Sequence, residues 1–335
     1  RFIKKVLSKL ISIDQVFNNQ YYKKSTWIYL LIPFSIFFYC LSSLKKYLYK
    51  NGFLKTIKIK VPVLIIGNIT LGGTGKTSLA LDLVEKFLRK GLKPAIISRG
   101  YRGRASNITE VFELSDVSNA WDEALFIKAK SKIPVFIGKD RAGAAQVLLK
   151  KYPKTSIIIS DDGLQHHRLA RDYEIIVVDS QRQFGNGLIF PAGPLRECIS
   201  KLKQVDAVVY KGANSNSNFY QMKYITKHFK NLLTNKKAIF KGIQDKKIVA
   251  ITAIGNPESF FSTLEGYDLE FKKVTYDDHY LFTKNDFIKY ADYNIVMTEK
   301  DAIKCKKFAT KNFWALPLET KVDERLFRNI LKKVT

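Results

Sequence analysis

The chain has 335 residues, 46% of them hydrophobic, enough for one large domain or two modest ones with a core that needs no covalent staples. Three widely separated cysteines (Cys40, Cys198, Cys305) give no disulfide framework, and no Cys-x-x-Cys or His-x-x-x-His spacing supports zinc, so a reducing compartment is expected. The formal charge of +27, from 57 basic and 30 acidic residues, favours anionic partners, but the lysines are scattered and no finger or RNP signature points to nucleic acid.

In chain order, residues 27–44 carry no charge. Lys23 and Lys24 precede them, Lys45 and Lys46 follow, and Pro33 lies inside. The stretch is at the lower limit for a spanning helix, and its flanking charges give no orientation bias. It starts late for a signal peptide, and no small-residue cleavage site follows. It is expected to lie in a membrane interface, with aromatics at headgroup level and lysines on anionic lipid. A helix packed on the protein's own core and a true span are the alternatives.

An apolar strand at 61–66 then runs into Gly67-Asn68-Ile69 and the loop Thr70-Leu71-Gly72-Gly73-Thr74-Gly75-Lys76-Thr77-Ser78, which opens a helical stretch to Lys90. This is the context of a phosphate-binding P-loop. Backbone N–H groups at a helix N-terminus converge on an anion, Lys76 reaches the outer phosphates, and Thr77 holds Mg²⁺. Binding of a nucleoside triphosphate is therefore expected. Thr70 stands where the usual pattern has glycine, which leaves Gly72 and Gly73 to supply left-handed backbone.

Apolar runs at 95–97, 134–137, 157–159, 175–178 and 207–209 read as buried parallel strands, with helices at 79–88, 122–130 and 142–150. The alternation implies an α/β fold: a P-loop NTPase-like, doubly wound, mostly parallel sheet with its ligand beyond the strands' carboxyl ends. The run at 157–159 ends in Ser160-Asp161-Asp162-Gly163. An acidic residue there orients Mg²⁺ directly or through water. Adjacent side chains at a strand end point apart, so one aspartate can face the metal and the other the acceptor. An Asp-Gly turn with no further role is the alternative.

The polar stretch 213–218 reads as a linker, followed by an extended segment at 220–225. A second α/β pattern starts at 247–251, with strands near 270–275 and 294–297 and a last helix near 324–333. The expected organisation is an N-terminal membrane-associated helical segment (1–50), a P-loop core domain (51–215), and linker strands with a smaller α/β domain (216–335).

The runs Asp161-Asp162-Gly163-Leu164-Gln165-His166, Phe184-Gly185-Asn186-Gly187 and Pro191-Ala192-Gly193-Pro194-Leu195-Arg196-Glu197 resemble the tetraacyldisaccharide 4′-kinase family of lipid A biosynthesis. Pro62-Val63, Gly67-Asn68, Ser98-Arg99-Gly100-Tyr101 and Thr298-Glu299-Lys300-Asp301-Ala302 with Lys304-Cys305 extend the resemblance. It implies transfer of the ATP γ-phosphoryl group, with Mg²⁺, to the 4′-hydroxyl of a tetraacylated glucosamine disaccharide 1-phosphate, giving lipid IVA. It also implies a peripheral, monotopic enzyme on the cytoplasmic face of the bacterial inner membrane, with no required protein partner.

The resemblance further implies a catalytic pair. Asp122, in Trp121-Asp122-Glu123-Ala124 where the family has Gly-Asp-Glu-Pro, would accept the hydroxyl proton. His279, in Asp278-His279, would orient or polarise that hydroxyl. Read from the residues alone, Asp122 is a helix N-terminal residue favoured by the dipole and His279 a turn residue. Lys76 is the candidate for the β- and γ-phosphates, and Arg141 and Arg196 are candidate cations for developing charge or substrate phosphate, because an arginine fork binds phosphate bidentately; a surface ion pair is the alternative for each arginine. Thr77, Asp161, Asp162 and Glu197 are the candidate metal neighbours.

Two other readings stay open at this point. One is a P-loop ATPase, or a kinase of a soluble small molecule, with the apolar helix packed on the core. The other is a nucleic-acid-binding switch protein driven by the positive charge. Thr298-Glu299-Lys300-Asp301 resembles a guanine-reading motif but has glutamate where asparagine belongs.

Overall fold

Apolar runs that are buried on both faces assemble here into two separate sheets. The computed structural model describes residues 21–22, 27–99, 108–112, 122–212, 218–278 and 280–334, without the side chains of Asp122 and Lys241. A 3₁₀ turn, Trp27–Leu31, leads into helix α1 (Ile32–Lys50). There follow β1 (Val63–Gly67), α2 (Lys76–Arg89), β2 (Pro94–Ser98), β3 (Thr109–Glu110), α3 (Asp122–Ser131), β4 (Val135–Ile137) and α4 (Arg141–Lys151). Next come β5 (Ile157–Asp161), β6 (Tyr173–Asp179), β7 (Ala207–Lys211) and β8 (Tyr220–Ile225). The remainder is β9 (Phe229–Asn231), β10 (Lys237–Ala238), β11 (Ile248–Thr252), α5 (Pro257–Glu265), β12 (Phe271–Thr275), β13 (Asn294–Thr298), α6 (Glu299–Cys305), β14 (Phe313–Leu316), β15 (Glu319–Val322) and α7 (Glu324–Val334).

The larger sheet has nine strands in the order β15-β8-β7-β6-β1-β5-β2-β4-β3. Its interior pairings are parallel, and the two edge strands, β3 and β15, run antiparallel. β1 is central, with Ile66 in register with Asp161 of β5 and Gly67 with Ile176 of β6. Leu64 and Ile66 point into one core with Leu79, Leu83 and Phe87 of α2, while Val63 and Ile65 point into the other with Ala145 and Leu148 of α4. This two-sided burial is why the strands read as unbroken apolar runs instead of alternating ones.

The smaller sheet has six strands in the order β10-β9-β14-β13-β11-β12. The chain crosses into it after β8 and returns from β14 to β15. β8 and β15 pair antiparallel, so the two crossings lie side by side. The last helix, read from sequence with the smaller domain, thus packs with the larger sheet, and so does β15, for which no strand was expected. Leu326, Phe327 and Ile330 of α7 enter the core of α2, where Phe327 meets Phe87 at 5.3 Å between ring centroids. In the smaller unit the buried Asp301 carboxylate ties β11 to β13. It accepts from Thr252 Oγ1 (2.8 Å), Ala253 N–H (3.1 Å) and Thr298 Oγ1 (2.8 Å), and pairs with Lys304 Nζ (2.9 Å). A buried ion pair with this many partners is the form in which such charges are tolerated.

Helix α1 is mostly uncovered. Leu30 is 78% exposed, Phe37 65% and Phe34 63%, in a helical segment long and apolar enough by composition to cross a membrane. The sequence alternative of a helix packed on the protein's own core does not describe such a face.

Candidate active site

The P-loop lies between the carboxyl end of β1 and the N-terminus of α2. Gly75 caps that helix at φ +96°, and a Cβ there would sit 2.7 Å from Tyr224 Oη, so only glycine fits. Thr70 needs no left-handed backbone. It is buried and makes an antiparallel bridge with Leu195, while Gly72 supplies the second positive φ. Asn68 braces the turn by donating from Nδ2 to Thr70 O (2.7 Å) and Gly72 O (3.3 Å).

The carboxyl end of β5 stands beside this cradle and divides the two aspartates. Asp161 ends the strand, and Asp162 turns away at φ +51°. Thr77 Oγ1 is 3.3 Å from Asp161 Oδ2 and donates to Glu123 Oε1 at 2.7 Å. Lys76 Nζ lies 3.4 Å from Asp162 Oδ1, and Arg196 Nη1 lies 3.4 Å from Asp162 Oδ2. Burial opposes ionisation of Asp162, but Lys76 and Arg196 outweigh it and hold the carboxyl well below the usual range. Asp161 shifts the other way, pushed up first by burial and then by the Glu123 carboxylate.

A buried carboxylate facing a second one asks for a cation. Asp161 Oδ1 is buried with no hydrogen-bond partner among the described residues. Thr77, Asp161 and Glu123 offer the hard oxygen donors that suit Mg²⁺. Glu123 was not singled out from the sequence. The only signal was its place beside Asp122, since α3 brings its first turn to the P-loop helix from 46 residues along the chain.

The other expected residues are placed as follows. Arg141 is 1% exposed, donating from Nη1 to Gly138 O (2.8 Å) and from Nη2 to Asp161 O (3.3 Å). It grips the strand end through the backbone, and burial lowers its pKa to about 10. Glu197 Oε1 accepts from Gln165 Nε2 at 3.0 Å, and burial raises its pKa. His166, next to Gln165, is lowered to about 4 by burial and by Arg141, so its imidazole is neutral at pH 7. Asp122 opens α3 one residue from Glu123, but its side chain, like the whole of His279, lies outside the described residues. Asp278, the neighbour of His279, has Oδ2 2.9 Å from where a Cβ on Gly255 would stand, beside the carboxyl end of β11.

Residues 27–335 match the family model described as LpxK, Tetraacyldisaccharide-1-P 4′-kinase. The chain is 38% identical over 325 residues to the tetraacyldisaccharide 4′-kinase of Methylobacillus flagellatus, covering 97% of each. It is 44% identical over 280 residues to that of Francisella novicida, covering 79% of this chain and 87% of the other. Among solved structures, the "apo" form LpxK from Aquifex aeolicus in complex with ATP superposes with a TM-score of 0.79 at 26% identity, covering 92% of this chain and all of that one. A P-loop followed by a split aspartate pair, on a fold matched along nearly its whole length, places this chain in the tetraacyldisaccharide 4′-kinase family.

Proposed function

We propose that this chain transfers the γ-phosphoryl group of ATP to the 4′-hydroxyl of a tetraacylated glucosamine disaccharide 1-phosphate, giving lipid IVA. The observation that carries the reading is the convergence of Lys76, Thr77, Asp161 and Arg196 at the carboxyl ends of β1 and β5 in a member of this family. Phosphoryl transfer passes through a loose transition state, so the protein's work is positioning and charge neutralisation. Thr77 and Asp161, with Glu123, would hold Mg²⁺, which when bound neutralises the β- and γ-phosphate oxygens. Lys76 exchanges Asp162 for those oxygens as ATP enters. Arg196 stays within reach of both Asp162 and the transferred group. Arg141 acts from below, keeping the Asp161–Asp162 turn in place. Asp162 and Glu197 line the same site through Arg196 and Gln165. Asp122 takes the hydroxyl proton late in the step, because a sugar hydroxyl is a very weak acid, and His279 orients that hydroxyl.

The exposed apolar helix and the family together suggest membrane association. In the finer reading α1 lies in the interface as a monotopic anchor on the cytoplasmic face of the inner membrane, where ATP and the acylated sugar meet. The deciding experiment follows label from γ-labelled ATP into tetraacyldisaccharide 1-phosphate in mixed micelles, for wild type, Lys76→Ala and Asp122→Ala. Lipid product from wild type alone is the expected result. Robust ATP hydrolysis with no lipid product would reject the acceptor assignment in favour of a P-loop ATPase.

A further inference from the structure

A helix that rests on lipid has little use for a buried hydroxyl, yet the one buried residue of α1 is Ser35. Its Oγ accepts the Ala192 N–H at 2.9 Å and donates to Leu31 O, one turn back, at 3.3 Å. Ala192 is fully buried, so its amide has no solvent to turn to if the hydroxyl is removed. The surroundings repeat the attachment. Tyr21 Oη donates to Pro191 O at 3.1 Å, the Phe38 and Phe190 rings meet edge to face at 5.6 Å, and Tyr21, Ile28 and Ala192 share a small core.

The same loop meets the P-loop two residues further on. Leu71 N–H donates to Pro194 O (2.8 Å), Arg196 N–H donates to Ile69 O (2.7 Å), and Leu195 bridges Thr70. Arg196 then reaches Asp162, which holds Lys76. A continuous run of hydrogen bonds and ion pairs thus joins the apolar helix to the phosphate-binding lysine through one short loop.

We propose that Ser35 is a positioning residue: it fixes the 190–196 loop to α1, so that the seating of the helix on a lipid surface is felt at the P-loop and at Arg196. The proposal rests on the ATP site and not on the identity of the acceptor. A bond that served only to attach the helix would affect membrane binding and leave the nucleotide site unchanged.

The test compares wild type, Ser35→Ala and Ser35→Thr as full chains. It uses amide hydrogen exchange over residues 68–72 and 190–197, binding of a fluorescent non-hydrolysable ATP analogue, and flotation on anionic phospholipid vesicles. In Ser35→Ala, exchange in both segments speeds up and analogue binding weakens about five- to tenfold, the scale of one orphaned buried amide. Flotation is unchanged, since alanine is no less apolar than serine. Ser35→Thr keeps the acceptor and restores both readouts. Vesicles slow exchange over 68–72 in wild type but not in Ser35→Ala. Wild-type exchange over 68–72 together with wild-type analogue affinity in Ser35→Ala would overturn the proposal. Should Ser35→Ala fail to fold, Phe190→Ala removes the ring contact and no hydrogen bond; it shifts both readouts the same way to a smaller degree, and unchanged readouts count against the linkage. Neither exchange nor analogue binding needs an acceptor, so their outcome is independent of the lipid assay.

Discussion

At the scale of single residues, the site gives two neighbours opposite surroundings. Asp161 and Asp162 are adjacent, yet one is buried beside Thr77 and Glu123 and the other is neutralised by Lys76 and Arg196. Their pKa values are driven apart accordingly, upward by burial for Asp161 and downward by the two cations for Asp162. In the function proposed above, the metal lies on the Asp161 side, beside Thr77, and the transferred phosphate on the Asp162 side, beside Lys76 and Arg196. Glu123 belongs with Asp161, and the consequence is measurable. Glu123→Gln should raise the Mg²⁺ concentration needed for half-maximal nucleotide binding by about tenfold, the usual scale for an auxiliary ligand. Nucleotide binding without Mg²⁺ should be unaffected. An Mg²⁺ titration with an unchanged midpoint would remove Glu123 from the cation site.

At the scale of elements, α2 carries the P-loop at one end and is clamped by α7 along its side. The clamp includes a charge cluster half out of water. Asp82 lies 3.2 Å from Lys86, and Lys86 lies 2.8 Å from Glu324 at the start of α7. Burial pushes the Asp82 carboxyl up to about 6, with Lys86 only partly offsetting it. For an acid whose folded pKa is raised, the unfolded chain releases its proton first as pH rises. Between 3.8 and about 6 the folded state therefore binds more protons, and stability falls as pH increases through that window. Asp82→Asn removes the penalty while Lys86 keeps Glu324. Its melting temperature should exceed wild type at pH 7.5, and the gain should vanish as the pH drops below 3.8. A variant that melts lower than wild type at pH 7.5 would show the ion pair to outweigh its desolvation.

For the whole molecule, an uncovered apolar helix is attached to the P-loop unit at its start through the 190–192 loop and further along through Lys46–Gln204 and Tyr49–His167. Leu30, Phe34 and Phe37 project from the Trp27–Lys50 segment and are largely uncovered, so changing them costs the fold little. Replacing all three by aspartate should abolish flotation on anionic vesicles while shifting the melting temperature by no more than about 2 °C, the size of a sub-kilocalorie surface effect. Retained flotation would mean that charge, not apolar contact, holds the protein to lipid. The smaller sheet is tied in differently. Lys130 of α3 pairs with Glu299 at the start of α6, whose other oxygen accepts the Leu318 N–H on the returning strand connection. The helix that brings Glu123 to Thr77 therefore also touches the second unit.

The strand–turn–helix of the P-loop, the apolar runs of the larger sheet and the uncharged N-terminal segment were all legible from sequence. Each is a contiguous pattern whose physics is local: two-sided burial, a helix N-terminus, an absence of charge. β3, β10 and β15 were not legible, because short edge strands such as Glu319–Val322 carry polar residues and no apolar run. Nor could a local pattern reveal that α7 returns to the larger sheet, since its apolar stripe specifies that a face is buried and not against what. The aspartate pair and the divergence of its two side chains were legible, but not which of them lies beside Thr77 and which beside Lys76 and Arg196. The Thr77–Glu123 and Ser35–Ala192 contacts were equally hidden, separated by 46 and 157 residues. Sequence by itself determined which chemistry the chain carries, because phosphate binding needs a short run of residues in fixed order. Tertiary structure decided which groups serve it, because charge, burial and hydrogen bonding between distant residues exist only once the chain has packed.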